Sequence, residues 1–211
     1  MKKLVLTLTA VAGLAVASIA QDFGFQKQDF IVEGFFQSSH ENNRNNEIKV
    51  NSLNFSPQVG YFVSDKIAVG VFVNAGNEKT TDYSGDNDTY ERATSFGGGV
   101  FGRYYFLDLG ARFKTYAQLS AGLGSSRASE NDGTTTTKGD KTNYFGADAG
   151  IGINYFVTPN IAINFGLSNI LAYQTAKVDV ESAESVSGFS ANVNVFENFF
   201  DTARFGLTFK F

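Results

Sequence analysis

Past residue 20, apolar and polar positions alternate with a period of two in one segment after another. Ile161, Ile163, Phe165 and Leu167 alternate with Ala162, Asn164, Gly166 and Ser168. Ala147, Ala149, Ile151, Ile153 and Tyr155 alternate with Gly146, Asp148, Gly150, Gly152 and Asn154. Phe113, Ala117, Leu119, Ala121 and Leu123 oppose Lys114, Tyr116, Gln118, Ser120 and Gly122, with Thr115 the weak point of the apolar face. The chain closes on Phe205, Leu207, Phe209 and Phe211 against Arg204, Gly206, Thr208 and Lys210. Such alternation predicts strands with one apolar face. The longest apolar run here, Ile67 to Val73, is far shorter than the roughly 20 residues of a spanning helix.

One turn device occurs three times. Tyr61-Phe62-Val63-Ser64-Asp65-Lys66-Ile67 resembles Tyr155-Phe156-Val157-Thr158-Pro159-Asn160-Ile161, and Tyr104-Tyr105-Phe106-Leu107-Asp108-Leu109-Gly110 lies between them. Each is an aromatic strand end, a tight polar turn and an apolar restart, repeating about once per hairpin. Eight strands are predicted, over 29–38, 50–63, 66–75, 92–106, 111–124, 143–157, 160–173 and 202–211. Segment 186–196 also alternates. It is read as an extension of the last strand, with a bulge near 197–201. The other connections, 39–49, 75–91, 125–142 and 174–199, are long and polar. They hold fourteen of the 21 acidic residues against seven basic ones.

A soluble sandwich shares the alternation. The strict alternation of short and long turns, Gly, Ser and charges on the polar face, and aromatic residues beside the short turns favour a membrane barrel. The expected fold is all-β: a closed, eight-stranded, antiparallel transmembrane β-barrel in an up-and-down meander. Tight turns then face the periplasm and long loops the exterior.

Composition narrows the chemistry. The absence of Cys removes disulfides, thiolate metal sites and cysteine nucleophiles, and one His removes any two-imidazole site. Lys2-Lys3, the apolar stretch Leu4 to Ala17 and the exit Ser18-Ile19-Ala20 read as a signal peptide over 1–20. Residues 21–211 are then the barrel domain. Loss of two lysines takes the formal charge from −4 to −6, which argues against nucleic acid. Export also takes the chain away from nucleotide cofactors, and none is expected.

Ser56-Pro57-Gln58-Val59-Gly60-Tyr61-Phe62-Val63-Ser64-Asp65-Lys66-Ile67-Ala68-Val69-Gly70 resembles the second hairpin of small outer-membrane β-barrel proteins. These are filed as "porin family" and are abundant in Bacteroidetes-like bacteria. Phe205, Leu207, Phe209 and the terminal Phe211 are similar to the C-terminal signal read by the barrel-assembly machinery. The resemblance implies an integral protein of a Gram-negative outer membrane, with the surrounding lipid and that machinery as its partners. A monomer is expected.

Strand parity aims Glu33, Gln58, Arg103, Arg112, Lys114, Gln118, Asp148, Asn164, Arg204 and Lys210 inward. An eight-stranded barrel is only wide enough for side chains to fill it, so these charges must pair. The expected lumen network is Glu33, Arg103, Lys114, Asp148, Arg204 and Lys210. Asp148 is to pair with Lys114 or Arg103, and Glu33 with Arg103, Lys210 or Arg204. Phe62, Phe72, Phe101, Tyr105 and Tyr116 are to plug the lumen, and Tyr61, Tyr104, Phe106 and Tyr155 to form the periplasmic aromatic girdle.

Other features read blandly. His40 beside Ser38, Ser39 and Glu41 is the only candidate for the His-based chemistry of lipid-modifying barrels. Gly97-Gly98-Gly99-Val100-Phe101-Gly102 matches a dinucleotide pattern but runs on into a strand rather than a helix. Glu78, Asp82, Asp86 and Asp88 read as a solvated loop rather than a calcium site. Pro57 predicts a local break in its strand's ladder. The function expected is a non-enzymatic barrel acting structurally or through its acidic extracellular loops. A narrow channel and a lipid-modifying enzyme are the alternatives.

Overall fold

The computed structural model describes residues 23–85, 87–191 and 203–211. Residues 1–20, the expected signal, and 197–201, the expected bulge, lie outside them. Among the described residues nine strands run in chain order: β1 Phe30–Asn43, β2 Ile48–Ser64, β3 Ile67–Asp82, β4 Thr89–Leu109, β5 Phe113–Asn131, β6 Thr136–Thr158, β7 Ile161–Val178, β8 Val186–Ala191 and β9 Ala203–Lys210. Each of β1 to β7 pairs antiparallel with the next, and β9 pairs with both β7 and β1. These eight strands close a ring. The seam is locked by Phe30 and Phe211, which exchange backbone hydrogen bonds of 3.0 and 2.9 Å. The closure runs through Ile31–Phe35 of β1 and Ile161–Leu167 of β7, and pairs the backbone there as lipid requires, where unpaired backbone groups are costly.

β8 is a short strand set against the upper half of β7, Leu171 to Ala176, while β9 takes the lower half, Ile161 to Leu167. It takes the place above β9 along β7 where 186–196 is expected to extend the last strand; residues 192–196 lie outside the described residues.

The short turns are tight because each restarts a strand at once. Ser64 Oγ accepts from the amides of Lys66 and Ile67 at 3.4 and 3.1 Å. Thr158 Oγ1 does the same for Asn160 and Ile161 at 3.4 and 3.0 Å. The hydroxyl residue common to both turns thus supplies the acceptor those amides need.

The long polar loops expected at the other end are largely strands. β1–β2 turn over 44–47, β3–β4 over 83–88, β5–β6 over 132–135 and β7–β8 over 179–185. β4 has 21 residues and β6 has 23, about twice what a bilayer crossing needs. Beyond the membrane both faces are polar, so the alternation loses contrast although the backbone ladder continues. Threonine suits a strand, and Thr136 and Thr137 open β6. The hairpin tip at 132–135 is set by Asp132, whose carboxylate accepts from the Thr135 and Thr134 amides at 2.7 and 2.9 Å. Those bonds hold its pKa down to about 2.

Parity falls as expected. Val59, Val69, Val71, Leu119, Ile151, Ile163 and Leu207 face out and are exposed. Leu167 departs from the pattern. It is buried next to the point where the β6–β7 register shifts between Ala149 and Ile151. Pro57 pairs with Gly34 of β1, while on the β3 side the ladder skips Ser56 and Pro57.

Candidate functional site

At the level of the apolar belt's middle, in the lower part of the barrel, the lumen is crossed by a polar layer built from every ring strand except β3. Its centre is Glu33 on β1 and Arg103 on β4, both buried and joined by a bidentate pair of 2.9 and 2.7 Å. All five guanidinium N–H groups are used. Nε and Nη2 donate to Gln118 Oε1 at 2.9 and 2.7 Å, Nη1 donates to Tyr105 Oη at 3.0 Å, and the other two reach Glu33. The centre of the Tyr116 ring lies 4.0 Å from the guanidinium carbon. Glu33 also accepts from Thr208 Oγ1 at 2.6 Å, from Asn164 Nδ2 at 3.0 Å and from Gln58 Nε2. Two more bonds close the layer sideways: Tyr105 Oη to Asn154 at 3.0 Å, and Tyr116 Oη to Asn164 at 2.7 Å. A buried ion pair of this kind holds only when its remaining donors and acceptors are met, as they are here.

Small residues make room for these rings. A Cβ at Gly152 would overlap the Tyr116 ring, and one at Gly70 would overlap Phe101 and a backbone carbonyl. Glycine on the inner face is therefore space for a neighbour rather than an open bore.

Below the polar layer lies an aromatic one, in which Phe62 and Tyr105 of the expected plug are joined by Phe25 and Phe156, which the expectation does not include. Residues 23–29, ahead of β1, fold back under the barrel. Phe25 stacks on Phe62 at 4.5 Å and packs against Tyr105 and Phe156 at 4.7 and 5.1 Å. Phe23 meets Phe156, and Arg112 covers its ring at 4.4 Å. Two bonds tie the strap to the wall: Gln28 N to Phe62 O at 2.8 Å and Phe62 N to Asp29 O at 2.9 Å. The available signal was Phe-Gly-Phe just before the first strand, at the periplasmic mouth. Alanine at Phe25 is expected to release the strap with the wall intact. Hydrogen exchange at the Gln28 and Phe62 amides then rises by roughly tenfold or more, with strand amides elsewhere unchanged.

The other expected network members sit apart from the layer. Lys114 pairs with Asp108 at 2.8 Å at the periplasmic mouth, not with Asp148. The wall bends there, because β4 and β5 shift register between Tyr105 and Leu107. Arg103 is taken by Glu33, so neither expected partner of Asp148 reaches it. Lys210 bonds the Gly24 carbonyl at 2.8 Å and lies 3.9 Å from Asp29, which ties the last strand to the strap. Arg112 belongs to the β4–β5 turn, is exposed, and is not a lumen residue. Asp148 and Arg204 line a cavity of about 400 Å³ above the polar layer. They make no ion pair with each other, and the Arg204 guanidinium lies 5.8 Å from the centre of the Phe35 ring. Phe62, Phe101, Tyr105 and Tyr116 are buried, and Phe72 partly so.

The outer wall carries the girdle residues facing outward beside the short turns. Tyr104 and Phe106 are half exposed, while Tyr61 packs on Phe30 at 4.9 Å and Tyr155 on Phe113 at 4.7 Å. Phe205, Leu207, Phe209 and Phe211 form an outward apolar line along β9 and the C-terminus. A second aromatic row, not read from the sequence, includes Phe36, Phe55, Phe96 and Phe145 nearer the hairpins. The two rows bracket the apolar belt, as the girdles of an outer-membrane barrel do.

The catalytic candidate dissolves on parity. Ser38 and His40 face out, whereas Ser39 and Glu41 face in. His40 Nδ1 meets Asn51 at 2.7 Å, and Ser39 meets Ser52 at 2.8 Å. The Gly97 to Gly102 pattern lies wholly within β4. Of the acidic loop, Asp82 accepts from the Ser84 amide at 2.8 Å, and Asp86 is outside the described residues.

The family model described as the OprF membrane domain matches residues 1–199. This chain belongs to that family. It is an integral β-barrel of the bacterial outer membrane, all-β and closed by eight ring strands. The OprF-type chain is also similar to solved structures. The N-terminal β-barrel domain of Pseudomonas aeruginosa OprF is 16% identical over 88% of this chain and 98% of that one, with a TM-score of 0.40. The outer membrane protein OprG of the same organism is 15% identical over 89% and 98%, with a TM-score of 0.47. Ail of Yersinia pestis, crystallised with the heparin analogue sucrose octasulfate, is 13% identical over 88% and 100%, with a TM-score of 0.41. No curated protein sequence matches the chain significantly.

Proposed function

We propose that this OprF-type barrel is a structural component of the outer membrane, without enzymatic activity, that presents rigid hairpins to the exterior. The observation that carries this reading is the doubly closed lumen. The Glu33–Arg103 layer fills the bore at the level of the apolar belt, and the Phe25 strap fills the mouth beneath it. Solute passage would require both to move, and the polar layer breaks only by exposing a buried charge. In this reading the barrel works as a monomer in lipid. Phe205, Leu207, Phe209 and Phe211 are the strip read by the barrel-assembly machinery during insertion.

The test is conductance of the refolded mature protein in planar bilayers. Silence over long recordings is the expected result. Reproducible unit steps would replace this reading with a narrow channel.

A further inference from the structure

The outward face of the wall carries a repeated charge pattern that neither the barrel nor its plug requires. Ascending β2 to β7 from the membrane, the outer face ends its apolar stretch, shows one small polar residue, and then shows a cation. On β2 the order is Leu53, Asn51, Lys49; on β3, Ala75, Asn77, Lys79; on β4, Phe96, Thr94, Arg92. On β5 it is Leu123, Ser125, Arg127; on β6, Phe145, Asn143, Lys141; on β7, Tyr173, Thr175, Lys177. β1 runs Phe36, Ser38, His40. The register fixes a common face: Thr94 lies opposite Arg127, Arg127 opposite Lys141, and Asn143 opposite Lys177.

The acids at these heights take the other face. Glu41, Glu78 and Glu91 each adjoin one of these positions in sequence and so point toward the interior of the hairpin crown. Glu130 lies opposite Glu91 and shares its face. Among the described residues none of the six Lys and Arg side chains makes an ion pair. Lys79 and Arg92 instead flank the Tyr90 ring, at 4.2 and 5.7 Å. A chain of net charge −4 has thus sorted these cations onto its flank and left them unneutralised.

Their height is the second argument. Four strand residues rise about 13 Å along the strand, or about 10 Å along the barrel axis at the usual tilt. The headgroup zone of a bilayer begins where the hydrocarbon ends and is several ångströms deep. Lys and Arg stems reach several ångströms further while their bodies lie along the wall. The ring of cations therefore stands where the phosphate groups of the surrounding outer leaflet stand.

We propose that Lys49, Lys79, Arg92, Arg127, Lys141 and Lys177 form a collar that binds the phosphate groups of phosphorylated glycolipid in the outer leaflet. Arg92 and Arg127 supply planar forks suited to phosphate oxygens, and the lysines act as point charges between them. The inward acids keep the interior of the crown free of the same anions.

The experiment uses the refolded mature barrel in neutral detergent, titrated with lipid A bearing both phosphates and followed by native mass spectrometry. Wild type should retain one or more lipid A molecules. Lys79→Gln/Arg92→Gln/Arg127→Gln/Lys141→Gln should fold to the same strand content and bind at least tenfold more weakly, since each cation near an anionic surface is worth about fivefold. Glu78→Gln/Glu91→Gln/Glu130→Gln, on the inner face, should bind as wild type does. Raising salt from about 0.1 to about 1 M should weaken wild type far more than the collar variant. Lipid A stripped of phosphate binding as tightly as the phosphorylated form would overturn the proposal. So would an unchanged affinity in the collar variant. Displacement of lipid A by millimolar inorganic phosphate would assign the site to a free anion and equally overturn it.

Discussion

Replacing Arg103 with Met is expected to destabilise the barrel by about 3–5 kcal/mol, the cost of leaving a buried carboxylate without its partner. Glu33 is closed off on every side, and its remaining partners, Thr208, Asn164 and Gln58, are neutral donors. They solvate the charge without cancelling it. Glu33→Gln/Arg103→Met removes both charges and should recover about 1–3 kcal/mol of that loss, a coupling typical of directly interacting groups. Urea unfolding in detergent micelles, followed by far-UV circular dichroism, measures both variants. Equal losses in the single and double variants would mean that water reaches Glu33. Asp148→Asn/Lys114→Met makes the control. Lys114 is held by Asp108, so that pair should be additive.

Period-two alternation needs only contrast between faces, and within the membrane that contrast is large. This is why Glu33, Arg103, Gln58, Gln118 and Asn164 are legible as inward residues from the sequence. Which of them meet is another matter. Partner choice depends on strand stagger and on the bulges at Tyr105/Leu107 and Ala149/Ile151, and no periodicity reports these. Lys114 sits at the mouth for that reason. The strap escaped notice because seven residues without alternation carry no strand signal. Its aromatic rings acquire meaning only once a mouth exists to receive them. The hairpins read as loops because polarity on both faces erases the apolar signal. In them alternation survives as charge sign, with cations outside and carboxylates inside, which a hydropathy reading does not register.

Leu119→Arg is the second large effect, at about 2–4 kcal/mol, because a charge on the lipid face near mid-depth has only hydrocarbon beside it. Leu119 is 67% exposed on the bare chain, so little protein packing contributes to the number. Its neighbours on the outer face, Ala117 and Ala121, are too small to shield a guanidinium, and Gly102 and Ala149 stand opposite it on β4 and β6. The comparison is Ser125→Arg, on the same strand and the same face. Above Leu119 that face continues through Ala121 and Leu123 to Ser125, and Arg127 follows at the level of the headgroups. Ser125 lies opposite Phe96 of the upper aromatic row and opposite Asn143, where the apolar belt has ended. There the same substitution should cost no more than about 1 kcal/mol, since the new cation reaches headgroups and water. Refolding titrations into vesicles give both values. If Ser125→Arg costs more than Leu119→Arg, the membrane sits higher on the wall than the aromatic rows place it, and the collar cations would then lie in hydrocarbon.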